Sequence, residues 1–492
     1  MLHDVLKPAK ADVPTEAPAY VAGRWTSEGP PAKRVGPFVR DVVTHSYPAT
    51  AEQLETAREF ARDGARMVAA LAPATRAAVL DRAARLAAEY RAGFARLIAL
   101  ELGKPVKDGL GEMDRVADTF AVCAGEARHI GGENVPVAGW ARGVGNTALT
   151  YRAPAGVALA ITPFNAPANL LAHKLGASFA AGNTTLVKAP PQAPATTAAM
   201  VALVLEAGMP AEAVQLLHGG GDVGAALCAA SEVAVISFTG SPETGAAVAR
   251  AAGAKRLVLE LGGNAATIVC ADADVAHAAA TCARTGYTNS GQSCISVQRV
   301  YVQRERYDEF LATFCTEVRG LTVGDPLDPA TDVGSMVDED AATRVEKWIS
   351  QAGAQGARVL VGGGRDGATL HPTVVAAPPA DATLVTEEAF GALVAVLPFD
   401  TLAEVVDTCN RSRFGLQAGL FTNDIATIIH AWRELQVGGL IVNGSSNYRL
   451  DHVPFGGVKD SGFGREAPKQ MIDDYTVIKT LILRGMSIWG QA

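Results

Sequence analysis

The residues best able to do chemistry are Cys294 and Glu260, which lie 34 positions apart in this chain of 492 residues. Cys294 ends the sequence GQSC at 291–294, and Glu260 lies inside LELGGN at 259–264. A thiolate attacks a carbonyl carbon, and a carboxylate can activate the water that later releases the acyl group. Because glycines also line the backbone at both positions, the sequence predicts acyl chemistry on an aldehyde.

Two further stretches, ITPFN at 161–165 and FGGVKDSG at 455–462, complete a family pattern. With GQSC and LELGGN they make the chain resemble the aldehyde dehydrogenase superfamily from about residue 20 to about residue 485. The resemblance implies oxidation of an aldehyde to the carboxylic acid with reduction of NAD(P), through a thiohemiacetal and a thioester on Cys294. The alternative from another class is a catalytically silent, nucleotide-binding structural relative.

The resemblance assigns the oxyanion of the attacked aldehyde to the side-chain amide of Asn165 and the backbone N–H of Cys294. An asparagine between Pro163 and Pro167 could instead be a turn residue. Glu260 is implied as the base that activates water for thioester hydrolysis. The same glutamate could instead be solvated or ion-paired near Lys255, although its apolar neighbours favour a raised pKa.

The presence of Glu260 also favours a free acid as product, because branches that pass the acyl group to coenzyme A lack this glutamate. Lys174 and Glu466 match a pair that is often assigned to a proton relay behind the base. As surface charges, these two residues would be unremarkable.

The sequence GGGDVG at 219–224 satisfies GxGxxG, but no acidic residue ends the next predicted strand. In the family this loop contacts the adenine side. The phosphates are instead expected at a helix that Ser241 caps, where free N–H groups favour an anion. The cofactor residues expected from the resemblance are Ile161, Thr162, Pro163, Phe164, Lys188, Pro191, Gly221, Gly224, Phe238, Thr239, Gly240, Ser241, Leu261, Gly262, Glu388 and Phe390.

Lys188 matches the lysine that binds the adenosine ribose. Three positions later, many NAD-preferring relatives carry a glutamate, and here the residue is Pro191. Losing that carboxylate removes repulsion against a 2′-phosphate, so the cofactor is expected to be NAD or NADP, with the preference open. Glu388 and Phe390 match residues that hold the nicotinamide riboside.

Substrate residues are expected around the Cys294 loop and at the mouth of a tunnel. Arg115 and Arg449 could bind an anionic substrate tail, or each could pair with a nearby carboxylate, Arg449 with Asp451. The predicted substrate residues are Arg115, His173, Ser293, Ile295, Arg449 and His452. The sequence around Gln417 and the 443–452 loop resemble lactaldehyde, semialdehyde and phosphonoacetaldehyde dehydrogenases. This favours a small polar aldehyde, hydroxylated or acidic; the alternative is a broad-specificity aliphatic and aromatic enzyme.

Alternating apolar and helical segments predict an α/β fold with two doubly wound open-sheet domains, one Rossmann-like for the cofactor and one catalytic. The strands of the catalytic domain are predicted at 266–269, 299–302, 358–361, 395–399, 418–421 and 440–442. Residues 50–126 are predicted to be helical, with Thr50 and Thr75 as caps. Predicted bounds are 1–130 and 154–258 for the NAD(P)-binding domain, 259–450 for the catalytic domain, 131–153 and 476–492 for an oligomerisation element of paired β-strands, and 451–475 for the return to the cofactor domain.

Bulk composition narrows the remaining classes. The net charge is −8 and no basic run stands out, so nucleic acid is not expected as a partner. Seven cysteines without a CxxC pair predict reduced thiols in a cytoplasm and no metal site. The sequence has no long uninterrupted apolar segment, so no membrane span is predicted. The first residues lack the pattern of a signal peptide. By resemblance the enzyme is expected to be a homodimer or homotetramer.

Overall fold

The computed structural model describes residue 6 and residues 14–486. Its first large sheet has eight strands, and the five from Arg256–Glu260 to Val214–Leu217 run parallel. In spatial order the strands are Gly462–Phe463, Arg256–Glu260, Val233–Thr239, Val157–Ile161, Thr184–Lys188, Val214–Leu217, Ala19–Val21 and Arg24–Thr26. The helices of this half are Ala51–Ala70, Pro73–Glu89, Arg91–Leu102, Val106–Ala127, Pro167–Ala181, Pro194–Glu206, Gly221–Ala229, Pro242–Ala252 and Pro468–Asp474.

Helices cover both faces of this sheet because its central strands are apolar on both faces. In the strand Val157–Ile161, Ala158 and Ala160 belong to one core cluster, whereas Leu159 belongs to a second. A strand whose side chains alternate between two cores lies in a sheet that is covered on both faces, as the predicted doubly wound fold requires.

The second large sheet has seven strands, which are parallel except for the antiparallel edge strand Arg358–Val361. In spatial order they are Arg358–Val361, Thr373–Ala376, Leu393–Phe399, Arg299–Gln303, Ala266–Val269, Gln417–Phe421 and Gly439–Val442. The six predicted strands are confirmed, and Thr373–Ala376 is an additional one. The helices of this half are Val275–Tyr287, Tyr307–Arg319, Glu339–Ala354, Thr383–Thr386, Leu402–Asn410 and Ile425–Glu434.

A three-stranded antiparallel sheet stands apart from both halves. The strand Thr147–Pro154 pairs along its whole length with Thr476–Leu483 and more briefly with Asn134–Val135. Apolar side chains are exposed on both faces of this sheet: Ile478 and Ile482 on one face and Tyr151 on the other are each about 60% exposed. The end of the predicted oligomerisation element, 487–492, lies outside the described residues. Smaller sheets join Thr15–Ala17, Val42–Ser46 and Ala32–Val35; Arg365–Asp366 and Thr369–Leu370; and Phe414–Gly415 and Val458–Lys459.

One predicted helix cap is correct and the other is wrong. Thr50 forms a full capping box with Gln53 at the start of Ala51–Ala70. Thr75 caps nothing, because the next helix already begins at Pro73 with Ala72 at the N-cap position. Proline is favoured in the first helical turn, where its missing N–H costs no hydrogen bond, so it outweighs the threonine signal. Among the described residues, no helix is long and apolar enough to cross a bilayer.

Candidate active site

Four predicted site residues lie at one edge of the eight-stranded sheet, where its parallel strands end. The register pairs Ile161 with Lys188 and Thr239 with Glu260. Each is the last residue of a buried strand. Parallel strands bring their carboxyl ends to the same edge, where ligands of open α/β sheets bind. The fold therefore gathers these side chains from positions spread over a hundred residues of sequence.

Glu260 is buried, with 2% of its surface exposed, and neither carboxylate oxygen has a hydrogen-bond partner among the described residues. Burial, together with the negative charge of Glu466, raises the pKa of Glu260 well above its ordinary value. The charges of Arg449, Lys174 and Arg465 oppose this shift, but a buried carboxylate without hydrogen-bond donors costs free energy to ionise. The group is therefore a stronger base than an ordinary glutamate. The ion-paired alternative does not describe this side chain.

Behind Glu260 lies a buried ion pair. Lys174 Nζ donates to Glu466 Oε1 at 2.7 Å, to Thr239 Oγ1 at 2.8 Å and to Ser237 Oγ at 3.0 Å. Lys174 and Glu466 are both fully buried, so neither is a surface charge. Burial alone would raise the pKa of Glu466, but the opposite charges of Lys174 and Arg449 lower it to about 2.

The Cys294 loop is a tight turn held by side chains from other segments. Asn289 and Ser290 adopt positive φ angles of 51° and 55°, which are costly for residues other than glycine. The N–H of Asn289 donates to Asp108 Oδ2 at 2.8 Å, and Gln292 Oε1 accepts from the N–H of Val337 at 2.8 Å. These bonds offset the strain and fix the direction in which the loop presents Cys294.

Asn165 is brought directly to this loop. Its Nδ2 donates to the carbonyl of Gln292 at 3.0 Å, and its own carbonyl accepts from Asn289 Nδ2 at 3.0 Å and from Lys104 Nζ at 3.2 Å. The side-chain amide therefore contacts Gln292, which lies two positions before Cys294 in the same turn. A residue that only formed a turn would not need this side-chain bond to a distant loop.

Cys294 itself is half-buried and packs against Ile295, Leu416 and Phe455. Burial, reinforced by the negative charges of Glu388 and Glu260, raises the pKa of the Cys294 thiol far above its ordinary value. The positive charge of Arg449 opposes this shift without reversing it, so the thiol is the stable form. All seven cysteines are free, and Ser293 Oγ accepts a long 3.4 Å bond from the N–H of Ile295.

The two segments expected around the nicotinamide meet across the crevice between the halves. The rings of Phe164 and Phe390 contact edge to face with centroids 5.8 Å apart. Glu388 Oε1 accepts from the N–H of Gly263 at 2.8 Å, and burial raises the pKa of Glu388 to about 7. A Cβ on Gly262 would lie 2.6 Å from Glu388 Oε2, so a larger residue there would have to displace the Glu388 carboxylate.

The residues expected at the adenosine and phosphate end lie along the same sheet edge. Lys188 is 7% exposed, and burial lowers its pKa to about 8, although Asp222 opposes the shift. The sequence GGGDVG opens the helix Gly221–Ala229, with Gly221 and Gly224 in its first turn. Ser241 accepts from the N–H of Thr244 at 3.2 Å and so caps Pro242–Ala252, as predicted.

Close packing also fixes the backbone in the region where the phosphates are expected. A Cβ on Gly245 would lie 2.5 Å from Leu261, and one on Gly240 would lie 2.5 Å from the Phe238 ring. Of the remaining predicted cofactor residues, Thr162 is buried with an unpartnered hydroxyl, Pro163 is half-buried, and Pro191 is exposed.

Both predicted anion-binding arginines are already paired. Arg115 forms a two-pronged ion pair with Asp451, and His173 Nε2 lies 2.9 Å from the same carboxylate. Arg449 Nη1 donates to Glu466 Oε2 at 3.2 Å, and its guanidinium lies 4.1 Å from the Phe455 ring centroid. The main partner of Arg449 is thus Glu466, while Asp451 lies 3.7 Å from its Nε.

The predicted substrate residues differ in how much of each side chain is exposed to solvent. The Arg449 side chain is 7% exposed, whereas Arg115 is 38% exposed and His452 is exposed. Arg115 is therefore the predicted arginine that solvent or a substrate can reach.

Sequence reasoning missed several residues that support the site. Glu112 accepts from Lys104 Nζ at 2.7 Å and from the N–H groups of Ala168 and Asn169 at 2.8 Å and 3.1 Å. A carboxylate at these free N–H groups fixes the start of the helix that carries Lys174. The signal was weak, because a charged residue on an amphipathic helix gives no sign of which distant helix end it will meet.

Comparison with known proteins gives one consistent result. The model of the aldehyde dehydrogenase family matches residues 25–481. The chain is 39% identical to the 3-sulfolactaldehyde dehydrogenase of Priestia megaterium over 94% of this chain and 97% of that protein. The structure of aldehyde dehydrogenase 21 from Physcomitrella patens with the reaction product succinate has a TM-score of 0.94 at 32% identity, covering 97% of this chain and 100% of that one. Glyceraldehyde-3-phosphate dehydrogenase from Methanocaldococcus jannaschii complexed with NADP has a TM-score of 0.88 at 32% identity, covering 92% and 98%.

Proposed function

This chain belongs to the aldehyde dehydrogenase family and is an NAD(P)-dependent enzyme that oxidises an aldehyde to the acid, and we propose that Cys294 and Glu260 carry the two halves of the reaction. In the first half, Cys294 loses its proton and its sulfur attacks the aldehyde carbon. The Asn165 amide and the Cys294 N–H are proposed to hold the resulting oxyanion.

The residues present suit a nicotinamide dinucleotide. Gly262 leaves space where a side chain would collide with Glu388, the Ser241-capped helix offers free N–H groups, and Lys188 offers a cation at the same sheet edge. A nicotinamide dinucleotide held by these residues would supply the acceptor for the hydride that leaves the substrate carbon. The chain's own part is to hold Glu388 and Phe390 against that end of the crevice and to exclude water.

In the second half, a water molecule must attack the thioester on Cys294. Glu260 is proposed to take the proton of that water, because its oxygens are buried and have no other partner among the described residues. Lys174 and Glu466 are proposed to carry the proton onward, since their ion pair lies next to Glu260 in the charge network. The unpartnered carboxylate of Glu260 is the observation that most strongly supports hydrolysis to a free acid.

A rapid-mixing experiment tests this division of labour. The wild type should produce NAD(P)H steadily from a reactive aldehyde, and Glu260→Gln should give one burst of NAD(P)H and then stall at the thioester. A variant that stalls before the burst would contradict the assignment of Glu260 to hydrolysis. If coenzyme A released a stalled wild-type enzyme, acyl-CoA formation would replace hydrolysis as the function.

The proposed substrate is a small polar aldehyde that carries a hydroxyl or an acidic group. Arg115 remains 38% exposed and His452 is exposed, which supports a polar rather than an aliphatic partner. The relative from Priestia megaterium bears the name of an enzyme for a sulfonated hydroxy-aldehyde. Comparing kcat/KM for hydroxy, acidic, aliphatic and aromatic aldehydes tests this; equal values would favour the broad-specificity alternative.

We further propose a cytoplasmic homodimer or homotetramer that assembles through the Thr147–Pro154 and Thr476–Leu483 sheet. The exposed apolar side chains of Tyr151, Ile478 and Ile482 support this role. We also propose that residues 1–130 with 154–258 form the NAD(P)-binding domain and 259–450 the catalytic domain. Residues 131–153 with 476–492 would form the oligomerisation element, and 451–475 the return to the cofactor domain. Light scattering of Ile478→Asp, which should yield a smaller particle than the wild type, tests the assembly.

A further inference from the structure

Arg413 joins three carboxylates from three separate segments. Its Nη2 lies 2.6 Å from Glu387 and 3.7 Å from Glu243, and its Nη1 lies 3.2 Å from Asp460. Its guanidinium also lies 4.3 Å from the ring centroid of Phe414, so the charged plane is fixed by stacking as well as by charge.

The partners of Arg413 place it at the proposed cofactor crevice. Glu243 lies in the first turn of Pro242–Ala252, the helix proposed to face the phosphates. Glu387 precedes Glu388, which is proposed to hold the nicotinamide riboside. On the other side, the Phe414 ring would lie 3.2 Å from a Cβ at Gly262. One side chain thus connects the cofactor half, through Glu243, to the loop of the catalytic half that closes over it.

The local charge balance gives this contact a consequence. Glu243, Glu387 and Asp460 carry three negative charges against the single positive charge of Arg413. Glu388 is a fourth carboxylate nearby, on which Arg344 and, less strongly, Arg413 act electrostatically. A cofactor that brings phosphate groups to this edge would be repelled by an unpaired acidic cluster.

We infer that Arg413 is a positioning residue for the cofactor: it neutralises acidic groups of both halves and holds the Glu388 loop in place at the crevice. The inference rests on the proposed cofactor site. Arg413 is 37% exposed, and an ordinary pair at such exposure contributes little to stability. The expected effect is therefore on nucleotide affinity and much less on folding.

Arg413→Gln, which keeps length and a planar group over Phe414, should raise both the Kd for NADPH and the KM for the oxidised cofactor about tenfold. Hydrolysis of 4-nitrophenyl acetate, which acylates a thiol without cofactor, should stay at the wild-type rate, as should the thermal unfolding midpoint. The matched control is Arg304→Gln, because Arg304 forms a similar exposed pair with Asp400 elsewhere.

A double variant separates charge from shape. Adding Glu243→Gln to Arg413→Gln should restore part of the lost affinity, because one repelling carboxylate is removed. Unchanged Kd in Arg413→Gln, or an equal loss of ester hydrolysis and cofactor affinity, would overturn the inference. If the wild type itself neither bound NADPH nor formed NAD(P)H with any aldehyde, the proposed function would fail instead.

Discussion

Arg115 and Asp451 form a two-pronged ion pair, with Nε 2.9 Å from one carboxylate oxygen and Nη2 2.7 Å from the other. Asn169 Nδ2 at 3.1 Å and His173 Nε2 at 2.9 Å contact the same carboxylate. Although burial raises the pKa of Asp451, its bonds with His173 and Arg115 hold it well below the ordinary range. Asp451 is thus a permanent anion that orients Arg115, leaving Nη1 as the end of the fork not used by this pair.

Replacing Arg115 should therefore change selectivity more than overall activity. For Arg115→Gln we expect kcat/KM to fall about tenfold for 4-oxobutanoate, the value of one charge-assisted hydrogen bond at the weaker end. The kcat/KM for the uncharged amide of 4-oxobutanoate should change little. Steady-state kinetics with both aldehydes measure the ratio, and Arg91→Gln, which removes a surface pair with Asp114, is the control. Equal losses for both aldehydes would show that Arg115 only supports the fold.

Glu260→Gln should slow turnover by about 10²- to 10⁴-fold, the usual contribution of a general base. The wild-type rate should rise with pH on its acid limb, because Glu260 must be ionised to accept a proton and its pKa is raised. The raised pKa of Cys294 acts in the same direction, since the thiolate is the nucleophile. Pre-steady-state and steady-state rates between pH 6 and pH 9 check this. In Glu260→Gln we expect the pH dependence assigned to hydrolysis to disappear while the burst of NAD(P)H is kept.

The same residue should reduce stability at neutral pH. Because the folded-state pKa of Glu260 lies above the unfolded value of about 4.3, the folded protein holds the proton more tightly. The free energy of unfolding therefore falls as pH rises from the unfolded pKa to the folded pKa. Glu260→Gln removes this contribution, so the variant should gain stability relative to the wild type at pH 8 and not at pH 4. Urea unfolding at both pH values measures the difference; an equal effect at both would contradict the raised pKa.

Lys174→Met should lower the free energy of unfolding at neutral pH, the opposite of the effect expected for Glu260→Gln. It leaves the Glu466 carboxylate buried without its main cation, a change that costs about 3–5 kcal/mol for buried pairs. Glu466 has a folded-state pKa of about 2, so its stabilisation is present above about pH 4.3 and is lost as pH falls towards 2. In Lys174→Met this loss on acidification should shrink. Chemical unfolding from pH 3 to pH 7 measures it, with Lys469→Met, an exposed pair with Asp473, as the control.

Sequence reasoning succeeded where local pattern fixes position. The strands of the catalytic half were predictable, because short apolar runs that alternate with helical segments are typical of a parallel sheet. The strand Arg256–Glu260, which carries Glu260, was not predicted. Ser241 was predictable as a helix cap because the signal for a cap is local in sequence. Thr75 was wrongly predicted as a cap because the helix begins earlier, at Pro73. Asp451 was named only as a partner for Arg449, because the bonding residue Arg115 lies 336 positions away.

Arg413 was not predicted at all. Its contacts with Glu387 and Asp460 join positions 26 and 47 residues apart, and no spacing rule relates them. Ion pairs between segments depend on how two sheets are placed side by side, and that placement is not encoded in any single stretch of sequence. The roles of the catalytic residues remain predictions that these experiments test.

Lys188 and Pro191 lead to a prediction about cofactor choice. Pro191→Glu would put a carboxylate beside Lys188, where it could accept from a ribose 2′-OH and repel a 2′-phosphate. We expect kcat/KM for NADP to fall about tenfold relative to that for NAD, while Pro191→Gln, which makes the same backbone change without charge, should alter the ratio much less. In the wild type, the KM for NADP should also rise as pH passes about 8, because Lys188, whose pKa burial lowers to about 8, then loses its positive charge. Steady-state kinetics with both cofactors from pH 6.5 to pH 9.5 measure both effects, and an identical shift in the two Pro191 variants would mean that backbone flexibility, and not charge, sets the preference.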